Sequence, residues 1–214
     1  MKTLTKEMQA AITPPMALEL LKDGNKRFIN NLKVNRNLLQ QANETSDGQH
    51  PFAVILSCID SRTSAELIFD QGLGDIFSVR IAGNIVNEDI LGSMEFGCKV
   101  AGAKIIVVLG HTKCGAVRGA CDHVEMGHLT GLLHKIQPAV EAETLTKTDR
   151  NASNAEFVEH VATINVKQTV KAIMTRSLIL SEMIAKKEIA IIGGTHNIST
   201  GEVNFYQDTY HCGA

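Results

Sequence analysis

Several stretches of this chain are apolar without interruption, most clearly residues 52–56, 105–109 and 189–192. A strand with one wet face alternates polar and apolar side chains, whereas an unbroken apolar run belongs inside a parallel sheet covered on both faces. Strands are therefore expected over 52–56, 76–79, 104–109 and 188–192. Between them, Ile90, Met94 and Val100 sit at helical spacing, and Val166, Val170, Ile173, Ser177, Leu180 and Ile184 recur in steps of four and three, which predicts one long helix. Strands alternating with helices imply an α/β fold, a mostly parallel central β-sheet flanked by helices with right-handed crossovers. In such sheets ligands gather beyond the carboxyl ends of the strands.

The chain ends add to this core. Pro14 and Pro15 precede Met16, Leu18, Leu21, Phe28 and Leu32, the pattern of an amphipathic helix opened by proline, so residues 1–35 read as an N-terminal helical arm. Residues 43–50 are a loop rich in Asn, Ser, Asp and Gly. Near the other end, Thr200-Gly201-Glu202 reads as the turn of a hairpin over 195–205 that adds a C-terminal edge strand. With 214 residues against about 150 for a typical domain, 1–214 is one domain.

Composition narrows the function classes. The chain has 21 Lys+Arg against 23 Asp+Glu, a formal charge of -2, too even for a nucleic-acid partner or an anionic membrane surface. No apolar run approaches the roughly 20 residues of a membrane span, and the N-terminus has no secretory apolar core. The cysteines, five and scattered, do not form a disulfide framework, which predicts a reducing, cytoplasmic setting.

The chemistry lies at two predicted strand ends. The first run continues into Cys58-Ile59-Asp60-Ser61-Arg62, the third into Gly110-His111-Thr112-Lys113-Cys114-Gly115, and both reach the same rim of the sheet. Two thiols and an imidazole are donors that Zn²⁺ favours, and Asp60 offers a fourth, oxygen ligand. Arg62, two residues on, is placed to hold that carboxylate in a bidentate pair and turn it from the metal, leaving an exchangeable position for water. Two thiolates oppose the lowering of the water pKa, so activity is expected to rise above neutral pH. Taken singly, a cysteine closing an apolar strand is most often a small buried hydrophobe. The joint pattern of Cys58, Asp60, Arg62, His111 and Cys114 is what outweighs that reading. Cys98 and Cys121 lack ligand-spaced partners and read as core residues. His123, His128, His134 and His160 read as solvated surface, and His211-Cys212 as a disordered tail. Gly72-Leu73-Gly74 is a turn, not a dinucleotide fingerprint.

Cys58-x-Asp60-x-Arg62 and His111-x-x-Cys114, about fifty residues apart, resemble the metal signature of the β-class carbonic anhydrases. The similarity extends through Gly24-Asn25-x-Arg27-Phe28, Gln49-x-Pro51, Val79-Arg80-x-Ala82-Gly83-Asn84, Ser93-Met94-Glu95-Phe96 and Thr200-Gly201, nearly the whole chain. The resemblance implies a Zn²⁺ enzyme for reversible hydration of CO2 to bicarbonate and a proton through zinc-bound hydroxide. It implies Cys58, His111 and Cys114 as permanent ligands, Asp60 as an exchangeable one, and Asp60 with Arg62 as a catalytic dyad. Phe77, Ala82 and Phe96 are then expected to wall the CO2 pocket, and Gln49 to bond a substrate oxygen. It further implies a homodimer or homotetramer, with the N-terminal helix laid over the neighbour and site walls donated across the interface. A subgroup of the family has a second, inhibitory bicarbonate site made of a tryptophan, an arginine and a tyrosine. Here Arg80 has Ile55 and His196 for company and the chain has no tryptophan, so that site is not expected. Two rivals are carbonyl sulfide or carbon disulfide hydrolysis at the same zinc, and a non-catalytic zinc or bicarbonate-binding module. The intact Asp60 and Arg62 speak against the module, because a purely structural site has no use for a switchable ligand.

Overall fold

Five strands, β1 (Ala53–Ser57), β2 (Ile76–Arg80), β3 (Ile105–His111), β4 (Ala190–His196) and β5 (Val203–His211), form one sheet in the order β2-β1-β3-β4-β5. The first four run parallel and β5 returns antiparallel to β4. This is a computed structural model, and it describes residues 3–213. Every residue of β1 and β3 is buried, as unbroken apolar runs require, while β2 alternates because it is an edge strand.

Helices cover both faces. Before the sheet come α1 (Lys6–Ala11), α2 (Pro14–Ile29) and α3 (Leu38–Glu44), and within it α4 (Ala65–Ile68) and α5 (Glu88–Glu95). After β3 follow α6 (Gly115–Cys121), α7 (Gly127–Leu133), α8 (Gln137–Ala142), α9 (Ala155–Arg176) and α10 (Leu178–Ala185). One face packs Ile55, Val107, Leu109 and Ile192 with Leu18 and Leu21 of α2 and with Ile68 and Phe69. The other packs Val54, Leu56, Ile106 and Val108 with Met94 of α5, Val166 and Val170 of α9, and Leu180 of α10. A third cluster, built mainly from α6 to α9, lies beyond the carboxyl end of the sheet and includes Cys58 and Cys114.

Four expectations change. The single long helix divides at Ser177, whose extended backbone (φ -111°, ψ 105°) and side chain cap α10 while its hydroxyl donates to Glu95 at 2.6 Å. The apolar period runs across the break because both helices bury the same face, so the pattern alone conceals it. Val100 leaves the apolar stripe shared by Ile90 and Met94: α5 runs into a wider π-type turn over Phe96–Val100, and Val100 is 72% exposed. The amphipathic helix ends at Ile29, leaving Leu32 outside it and exposed. His211 and Cys212 are not a loose tail, for His211 pairs with Ile191 in the sheet and Cys212 packs on the first core face. Helix α2 buries Ala17, Leu18 and Leu21 against its own chain, while Met16, Leu20 and Ile29 of the same helix stay exposed. Among the described residues no helix is long and apolar enough to cross a membrane.

Candidate metal centre

Strands β1 and β3 are parallel neighbours, with Ser57 opposite Leu109, so the chain leaves both at one rim. Cys58 follows β1 directly and His111 closes β3. Lys113 then takes a left-handed backbone (φ 57°), which turns the chain so that Cys114 arrives as the residue capping α6. The outcome is a cluster of the Cys58 and Cys114 sulfurs and a His111 ring nitrogen, all within 4.8 Å of one another. All three residues are nearly out of solvent, Cys58 at 4%, Cys114 at 2% and His111 at 1% exposed.

The histidine's hydrogen bonding sets its role. His111 Nδ1 lies 3.0 Å from the Thr112 carbonyl, an acceptor only, so Nδ1 carries the proton and Nε2 presents its lone pair. That Nε2 is buried without a hydrogen-bond partner, a costly state unless something accepts the lone pair. Burial and a neighbouring thiolate oppose ionising both cysteines together. The thiol of Cys58 is pulled down chiefly by the bond from Cys114, with help from the Gly83 N–H, while Cys114 is pushed up by the Cys58 sulfur and by burial. Two sulfurs that share one negative charge around a free imidazole are a fitting donor set for zinc, which accepts both as thiolates.

Above the cluster, Arg62 grips Asp60 through both carboxylate oxygens, Nε to Oδ1 at 2.9 Å and Nη2 to Oδ2 at 2.6 Å, and its own N–H adds a third bond at 3.0 Å. The guanidinium holds the Asp60 carboxyl far below the ordinary carboxylate range. Asp60 Oδ2 stands 4.0 Å from His111 Nε2, beside the cluster and turned to the arginine rather than among the three converging atoms.

Sequence reasoning missed what fixes the Cys58–Asp60 turn. Arg80, at the end of β2 opposite Ser57, donates Nε to the Cys58 carbonyl at 3.2 Å and Nη2 to the Asp60 carbonyl at 2.7 Å. Thr63 donates to the same two carbonyls. Arg80 reaches the turn through strand register, which a sequence does not show, whereas Thr63 bonds carbonyls only five and three residues before it, so its signal was local. Gly83, next to Ala82, donates its N–H to the Cys58 sulfur at 3.5 Å, so Ala82 reaches the rim of the centre.

Other predicted pocket residues lie elsewhere in this chain. Phe77 pairs with Val54, four residues before Cys58, which at about 3.3 Å per residue is roughly 13 Å along the strand. Phe96 meets Phe77 edge-on at 6.2 Å and is 54% exposed, both on the open β2 edge. Gln49 is exposed just ahead of β1, at the opposite end of the sheet from Cys58. His196 stands opposite His111 in β4, buried, with neither ring nitrogen bonded, and burial lowers its pKa to about 4. Burial raises the thiols of Cys98 and Cys121 and leaves them as inert core residues. His123, His128 and His134 are exposed, and His160 is half-buried beside Glu143 at 3.4 Å.

A family profile described as carbonic anhydrase matches residues 53–203, which span β1 to the start of β5 and contain the whole centre. The chain belongs to the β-class carbonic anhydrase family. Carbonic anhydrase 2 of Mycobacterium tuberculosis is 38% identical over 200 residues, covering 88% of this chain and 90% of that protein. The carbonic anhydrase of Mycolicibacterium smegmatis is 35% identical over 193 residues, covering 89% and 92%. Among solved structures, one of two tetrameric β-carbonic anhydrases from Sordaria macrospora superposes with a TM-score of 0.67 at 25% identity, covering 76% of this chain and 83% of that one. In this β-carbonic anhydrase the sulfur and imidazole donors, the Asp60–Arg62 pair and the Arg80 clamp form one connected unit.

Proposed function

We infer that this protein is a zinc-dependent carbonate dehydratase that interconverts CO2 and bicarbonate. The observation that carries the inference is the buried convergence of Cys58, His111 and Cys114 with an arginine-held Asp60 at its side. Zinc bound there supplies the Lewis acidity that makes water a nucleophile near neutral pH. Asp60, ionised and locked by Arg62, is positioned to accept a hydrogen bond from the reacting water and aim its lone pair at CO2, and the released proton passes to buffer. Arg62 also keeps the carboxylate from taking the exchangeable position. Ala82 forms part of the substrate wall.

We further propose that the working enzyme is a homodimer or homotetramer whose sites are completed across an interface. Gln49, Phe77 and Phe96 lie away from their own chain's cluster, so their substrate-contacting role requires a second copy. Exposed apolar side chains support this reading: Phe96, Val100, Met16 and Leu20 are 54%, 72%, 51% and 42% exposed. Free cysteines, with no disulfide among the described residues, favour a reducing compartment such as the cytoplasm.

Stopped-flow CO2 hydration on protein of measured zinc content, with and without a chelator, tests the central reading. Turnover should scale with zinc and vanish on stripping. Protein holding one zinc per chain that hydrates no CO2 would refute it, and hydrolysis of carbon disulfide or carbonyl sulfide by that same protein would reassign the substrate.

A further inference from the structure

Resting on the reading of Cys58 as a zinc ligand, we propose that Asn165 is a positioning residue of the metal centre. Its side-chain amide holds the turn whose backbone N–H bonds the Cys58 sulfur. Asn165 lies in the middle of α9, far from Cys58 in sequence, and is 3% exposed. Asparagine is a poor helix-interior residue, and a buried amide is costly unless bonded. Most of its neighbours on the buried face, Val161, Ala162 and Val166 among them, are apolar, with Thr169, one turn on, the polar exception. The compensation is one long-range bond, Asn165 Nδ2 to the Gly83 carbonyl at 2.9 Å.

The turn that bond reaches is tight. Gly83 (φ 70°) and Asn84 (φ 43°) are both left-handed in succession, a conformation that glycine enters freely and asparagine more readily than most residues, so the local sequence permits the turn without locking it. One internal bond, the Asn84 N–H to the Ile81 carbonyl at 3.0 Å, closes it. Asn165 is the restraint from outside, and it fixes the orientation of the very residue whose N–H points at Cys58 Sγ. Hydrogen bonds to a metal's sulfur ligand draw off its charge and hold its direction, and losing such a partner typically costs 10–100-fold in metal affinity. A purely structural staple between α9 and the turn would alter melting and leave the metal untouched.

The experiment uses the full chain. Asn165→Asp keeps the shape but has no N–H to donate, and Asn165→Ser withdraws the group from reach with a smaller change, so one remains informative if the other does not fold. Gln168→Ala is the control, since Gln168 of the same helix also bonds a carbonyl, that of Pro138 at 3.2 Å, with no connection to Cys58. Zinc affinity by chelator competition and the sulfur-to-cobalt charge-transfer band of Co²⁺-substituted protein are measured for each. Both Asn165 variants should bind zinc roughly tenfold or more weakly and shift the cobalt band, with Gln168→Ala moving neither. Asn165 variants that bind zinc like the parent with an unmoved band, whatever their melting temperature, overturn the proposal. A parent protein that takes up neither ion overturns the zinc reading itself.

Discussion

Replacing Gly83 with alanine tests the local design of the centre most directly. Gly83 sits at φ 70° and ψ 17°, where a side chain costs about 1–2 kcal/mol. A Cβ there would lie 2.6 Å from Ile136 Cδ1 and 3.3 Å from the Ala116 Cβ. Ile136 is fully buried and has little room to withdraw, so overpacking adds about 1–3 kcal/mol. Together these suggest a loss near 3 kcal/mol, which for a chain of this size lowers the melting temperature by roughly 6–12 °C. The displaced turn also takes the Gly83 N–H from the Cys58 sulfur. A bond worth about 1–1.5 kcal/mol corresponds to about a tenfold weaker hold on zinc. Calorimetry on zinc-loaded and stripped Gly83→Ala protein, with chelator competition, reads both quantities. A variant that melts within about 2 °C of the parent and binds zinc equally well would show that neither the left-handed turn nor its N–H matters.

Asp60→Asn should retain one zinc per chain and lose about 10²-fold or more in CO2 hydration, checked by metal analysis beside stopped flow. Cys114→Ser should shed zinc and activity together, because it removes a donor from the cluster. The Asp60 pKa is depressed by Arg62, so the pair's contribution is present above the ordinary carboxylate pKa and disappears only as pH falls through the lower folded value. Asp60 therefore stays ionised from pH 5 to 9; a pH-rate profile should rise above neutrality with no inflection from Asp60, and one whose activity peaks below pH 5 would contradict this. Phe96→Glu, which charges the exposed β2 edge, should lower both the sedimentation coefficient and turnover; a parent chain that sediments as a fully active monomer would remove the shared-site reading.

The unbroken apolar runs announce β1 and β3 before any coordinates, because a strand buried on both faces leaves no position where a polar side chain is tolerated. The Cys58 and His111 groups are legible for a related reason: parallel neighbours must end on the same rim, so ligand-type residues after two such runs are expected to meet. The break at Ser177 is illegible, because serine does not forbid a helix and both halves bury one face. His211 and Cys212 read as a tail because a strand secured by pairing to β4 needs no apolar run of its own.

Local chemistry thus settles which residues can serve as donors and which segments must be interior, since both follow from side-chain type and spacing along a single stretch. Tertiary structure alone decides what restrains those donors. The Arg80 clamp on two carbonyls, the reach of Asn165 to Gly83 and the separation of Gln49, Phe77 and Phe96 from their own cluster all depend on register and helix placement. These are relations between segments distant in the chain, and they come into being only when the cooperative packing of the whole sheet sets the segments side by side.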